Sequence, residues 1–175
     1  WFDGANGGDG YYGGARELRR IDRRSYYDWS NIWEIVRRNQ PGAAIFSDAG
    51  PDVRWVGNEQ GIAGDPCWST FSADSLYPGF GGDDWPIGAK KDDGKLWGSA
   101  QEMLNRGDLH GDIWLPAECD VSIRPGWFYH PSEDAQVRGP ENLLDLYFRS
   151  VGRGASMLLN LPPDRRGQIH EHDVR

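Results

Sequence analysis

Cysteine is almost missing: Cys67 and Cys119 are the only two in 175 residues. They leave a disulfide or free thiols open, and without metal-ligand spacing they imply neither a redox compartment nor a metal. No apolar run approaches the roughly 20 residues that cross a bilayer, so no membrane span is expected. Positive charge is scarce as well. Lys and Arg number 19 against 27 Asp and Glu, a balance of −8, which disfavours nucleic acid and anionic membrane surfaces as partners. No glycine-rich phosphate loop follows any predicted strand, so a dinucleotide fold lacks support. The chain also starts WFDGANGG without an initiator methionine. It is expected to begin in mid-strand, with its targeting segment not legible.

Tryptophan and glycine are plentiful instead, with 9 and 24 residues. Indole rings stack on the C–H faces of sugars while their N–H still donates a hydrogen bond, although large aromatics also fill cores. Glycine opens backbone conformations that other residues avoid, so loops take up much of the chain.

The pattern of elements is alternating. WFDGA reads as the end of a buried strand. Tyr26 to Arg38 carries Trp29, Ile32, Trp33, Ile35 and Val36 on one helical face. AAIFSDAG and VRWVGNE read as extended, and a long irregular region from Gln60 to about Asp112 holds a helix near Ser99–Asn105. IWLPAECDVSI reads as one strand. Pro140 opens a helix with Leu143, Leu144, Tyr147, Phe148 and Val151 as its apolar positions. ASMLLNL is a strand stopped by Pro162-Pro163. This order predicts a parallel α/β sheet, best matched by a (β/α)8 barrel with its chemistry at the C-terminal strand ends. Such barrels need about 250 residues, so residues 1–175 are expected to be the second half of one catalytic domain.

Carboxylates stand where that architecture places chemistry. Asp3 ends the first strand, between Trp1-Phe2 and a glycine-rich loop, where burial would raise the energy of its anion. Its alternative role is a loop-capping Asx turn. Glu59 ends VRWVGNE, beside Arg54, Trp55 and Asn58, and by itself reads equally as a solvated loop residue. Two acids on successive strand ends are the apparatus of glycoside hydrolysis. Glu118 and Asp120 share one strand face and either line the mouth or are buried charges answered by an arginine such as Arg124. RPGWFYH gathers Arg124, Trp127, Tyr129 and His130 as a sugar platform or as packing. His110, His170 and His172 show no partner at metal-ligand spacing, so no metal site is expected.

The segments WFDGANGG, YYDW, AAIFSDAGPDVRWVGNEQGIAG, WLPAECDVSIRPGWFYHP and SVGRGASMLLNLPPDRRGQIH resemble the α-L-fucosidase family of retaining glycoside hydrolases, family twenty-nine. The likeness is closest to the branch acting on α-1,3 and α-1,4 fucosyl linkages, and it runs from the first residue to the last. It implies Asp3 as nucleophile and Glu59 as general acid/base. It also implies Trp1 and Trp127 as apolar walls near the sugar's C5 methyl group, with Arg54, Asn58 and Tyr129 as polar pocket residues. The implied partner is a fucosylated oligosaccharide or glycoconjugate, with no cofactor. A secreted, periplasmic or lysosome-like compartment is the family expectation. A retaining glycosidase for another sugar, or a non-catalytic carbohydrate-binding remnant, stays open beside it.

Overall fold

The computed structural model describes residues 1–3, 11–20, 26–47, 50–72 and 102–174. The glycine-rich loop after Asp3 and most of the long region from Gln60 to Asp112 lie outside them.

Helix α1 spans Trp29–Asn39. It starts three residues later than the periodicity suggests because Asp28 takes the cap, its side chain accepting from the Asn31 N–H at 3.4 Å. Trp29 and Trp33 bury their rings against Ile45, with Phe2 packed on the same cluster. Arg37 ties the helix to the following turn through Asp52 and the Ala43 carbonyl.

Four strands form a parallel sheet in the order β1 (Phe46–Ser47), β2 (Val53–Trp55), β5 (Ala117–Ser122) and β6 (Ser156–Asn160). Arg54 pairs with Ala117 and Trp55 with Glu118. Further along, Asp120 pairs with Leu158 and Ser122 with Asn160. The Phe2 N–H donates to the Phe46 carbonyl at 3.1 Å, which lays the first residues beside β1.

The stretch read as one strand, IWLPAECDVSI, is two. Residues β4 (Ile113–Trp114) pair antiparallel with β3 (Thr70–Phe71) in a separate ribbon. Pro116 has no N–H to continue the ladder, so the chain changes sheets there. Residues 102–106 are helical (α2), and Leu104 from them closes a small core with Phe71 and Leu115.

Helix α3 spans Pro140–Ser150 with proline at its start, as read. Its apolar positions are not the buried ones. Leu146 and Ser150 face inward, while Leu144, Tyr147 and Phe148 are exposed. Behind the sheet, Val56, Ala63, Ala117, Cys119 and Ala155 make the main core, with Cys67 packed against it. Both cysteines are free thiols.

Alternation along β5 buries Ala117, Cys119 and Val121 on one face and puts Glu118 and Asp120 on the opposite one. Arg124 does not answer them. It is buried and pairs with Asp134 at 2.8 Å and with Asp173, whose Oδ2 accepts from its Nε at 3.0 Å. This fastens the tail, residues 164–174, to the turn after β5. Among the described residues no helix is long and apolar enough to cross a membrane.

Candidate active site

Parallel strands point their C-terminal ends the same way, so the segments that follow them meet at one edge of the sheet. Trp1 lies flat on Phe46 of β1, ring centres 4.5 Å apart and planes 4° from parallel. Phe2 turns the other way and meets Trp29 edge-on. Asp3 is therefore exposed, and the burial anticipated for it beside Phe2 does not arise.

Glu59 is carried by the turn after β2, which its neighbours hold. The Asn58 amide donates to the Ile62 carbonyl at 2.9 Å and its oxygen accepts from the Gln60 N–H at 3.1 Å. Gly61 completes the turn at φ +74°, where a Cβ would come within 3.0 Å of Val121; only glycine lets this loop lie on β5.

Three indoles meet three carboxylates. Trp1 Nε1 donates to Glu118 at 2.6 Å, Trp55 Nε1 to Asp120 at 2.7 Å and Trp127 Nε1 to Glu59 at 3.1 Å. The loop bearing Trp127 is itself anchored, because Asn160 donates to the Trp127 carbonyl and to Ser122 Oγ, both at 3.0 Å. Burial pushes the Asp120 carboxyl up to about 6 against the Trp55 hydrogen bond, and the nearby Glu59 and Glu118 charges add to the rise. Glu59, Glu118 and Asp120 thus form one acidic group with indole donors around it. Such a site suits a neutral, polyhydroxylated ligand with apolar C–H faces far better than an anion.

Two residues expected to be polar contacts are spent on the fold. Arg54 is 0% exposed. Its guanidinium donates to the carbonyls of Leu104 at 2.8 Å, Trp68 at 2.9 Å and Leu115, and lies over the Phe71 ring. Burial lowers its pKa from the ordinary arginine value. Strand alternation explains the outcome: Trp55 takes the site face, so Arg54 must point into the core. Asn58 commits its side chain to its own turn and acts through Glu59. Tyr129 packs on the Arg124 guanidinium, 4.7 Å from its ring centre. It lines a different cavity of about 270 Å³ with Pro131, Asp164, Arg166 and His170, to which Asp3, Glu59, Glu118 and Asp120 contribute nothing.

Trp55 joins the site as well: the register of β2 on β5 sets it beside Glu118, on the face opposite Arg54. No local signal reveals the indole–carboxylate pairs, whose members stand 65 to 117 residues apart. His170 and His172 do have a partner. With Asp134 they bring ligand atoms within 4.8 Å of one another, a meeting that the spacing in sequence does not show. Asp134 already accepts from Arg124 at 2.8 Å, and His172 Nδ1 lies 3.0 Å from the Asp134 carbonyl. These contacts make the group a fastening for the tail.

No family model matches the chain. The Arabidopsis thaliana protein named alpha-L-fucosidase 1 is 39% identical over 175 residues, all of this chain and 28% of the relative. The crystal structure of a glycoside hydrolase 29 family member from an unknown rumen bacterium superposes with a TM-score of 0.75 at 41% identity, over 99% of this chain and 28% of that one. A Ruminococcus gnavus GH29 fucosidase in complex with fucose gives 0.64 at 28% identity, over 85% of this chain and 28% of that one. The chain spans little more than a quarter of these relatives, and within that quarter its likeness to α-L-fucosidases runs from end to end.

Proposed function

We propose that this chain is the C-terminal part of the catalytic (β/α)8 barrel of a retaining, exo-acting α-L-fucosidase of family 29. The observation that carries the reading is the indole-lined acidic group at one edge of a parallel sheet, with Glu59 held there by Trp127. The parallel order β1-β2-β5-β6, with Phe2 laid beside β1, fits successive strands of such a barrel. This stretch by itself is expected to be inactive.

In the proposed reaction, the Asp3 carboxylate attacks the anomeric carbon of a terminal fucose. The bond to the leaving oxygen breaks as protonated Glu59 delivers its proton there, giving a fucosyl-aspartate ester and a free acceptor. Glu59, now a carboxylate, takes a proton from water. The hydroxide equivalent attacks the same carbon and releases Asp3 and fucose with net retention. Trp1 and Trp127 supply apolar wall beside the C5 methyl group. The substrate is a fucosylated oligosaccharide or glycoconjugate with α-1,3 or α-1,4 linkage, no cofactor takes part, and nucleic acid is not a partner.

The test uses the full-length protein that carries this chain. Asp3→Gly abolishes turnover of an aryl α-L-fucoside, and azide restores turnover to Glu59→Ala on an activated substrate. Rescue of Glu118→Ala instead of Glu59→Ala overturns the assignment of the acid/base.

A further inference from the structure

We infer that Glu118 is the positioning residue for Trp1, fixing the indole that walls the sugar pocket; this rests on the fucosidase reading. Trp1 has two attachments of different kinds. Its ring face lies on Phe46, which sets the height of the ring but leaves it free to slide and turn in its own plane. Its Nε1–H reaches Glu118 Oε1 at 2.6 Å, a short bond of the charge-assisted kind that fixes in-plane orientation. The anchor is firm because Glu118 belongs to β5, held in register between Trp55 of β2 and Ser156 of β6. Trp1 remains 56% exposed, so a face and an edge stay free for a ligand.

The consequence is chemical. A C–H face packs against an indole only where the ring stands at the right angle, and a misplacement near 1 Å costs much of that contact. Glu118 needs to accept one hydrogen bond and nothing more. Glutamine, whose amide oxygen accepts in the same place, keeps the function, and alanine does not.

The experiment compares wild type, Glu118→Ala and Glu118→Gln in the full-length protein. Each is given an aryl α-L-fucoside and the matching pentopyranoside that lacks the C5 methyl. Wild type should prefer the fucoside in kcat/KM by about 10- to 200-fold, the worth of one methyl group in an apolar pocket. Glu118→Ala should bring that preference within about threefold of unity on the same scale, without azide rescue, while Glu118→Gln keeps most of it. Equal loss on both substrates in Glu118→Ala, or a Glu118→Gln as deficient as alanine, overturns the inference. A second readout does not need turnover. The indole N–H resonance that Trp1→Phe deletes should move upfield in Glu118→Ala and stay in Glu118→Gln; no movement overturns the inference. If wild type hydrolyses neither substrate, the fucosidase reading fails and the indole resonance alone decides whether Glu118 holds Trp1.

Discussion

The Trp127 indole donates to Glu59 Oε2 at 3.1 Å, joining the loop after β5 to the loop after β2. Each loop is separately braced, by Asn160 on one side and by Asn58 with Gly61 on the other. The carboxylate is thus placed by two independent turns that agree on one point.

Loss of that donor should cost turnover and leave the fold intact. The bond is exposed and adds little to stability, but it sets where the carboxylate stands, and a misplacement near 1 Å costs up to about 100-fold in rate. Trp127→Phe in the full-length protein is expected to lower kcat for an aryl fucoside at least about tenfold with an unchanged unfolding temperature. A variant as active as wild type would show that Glu59 needs no such guide.

Asp120 should leave a mark on stability. Its carboxyl is raised from 3.8 to about 6 in the folded protein, so between those values the folded state keeps a proton that the unfolded state has lost. This group therefore favours folding most below pH 4, and the advantage falls as pH rises through 6, then stays level. The whole span is about 3 kcal/mol. Stability of wild type relative to Asp120→Asn should fall by up to that amount from about pH 4 to about pH 7.5, read by denaturant unfolding at each pH. A flat difference contradicts it.

Arg54 separates a structural role from a pocket role. Arg54→Met strands the carbonyls of Leu104, Leu115 and Trp68 and should cost about 3 kcal/mol. The folded fraction should keep its KM for the fucoside. A raised KM at unchanged stability would return Arg54 to the pocket.

The tail clamp should be worth more than its surface position suggests. The Arg124 and Asp173 side chains are both 0% exposed, and removing Asp173 leaves Asp134 alone to answer the buried guanidinium. Asp173→Ala should destabilise by about 1.5–3 kcal/mol, the worth of a hydrogen bond to a charged group, seen as a lower unfolding temperature. Arg166→Ala, on a side chain 57% exposed, should cost under about 1 kcal/mol.

Much of this was legible beforehand. The α1 face, proline at the start of α3, and the ECDV alternation follow from local periodicity, which depends on neighbours within a few residues. Glu59 at the end of an extended segment is legible too, whereas the turn that holds it depends on contacts of Asn58 with Ile62 and of Gly61 with Val121. The break at Pro116 was written in the sequence but lost to the apolar run around it. The exposed face of α3 was not legible, since periodicity marks which residues share a face and not what covers it.

What the sequence by itself determined is the α/β class with a parallel sheet, and which residues follow its strands. Only the tertiary structure decided that Arg54 turns inward, that Arg124 serves the tail, and that three indoles each claim a carboxylate. The reason is physical: backbone preference acts between residues close in the chain, whereas an indole N–H finds its acceptor through space. Sequence separation carries no record of that distance.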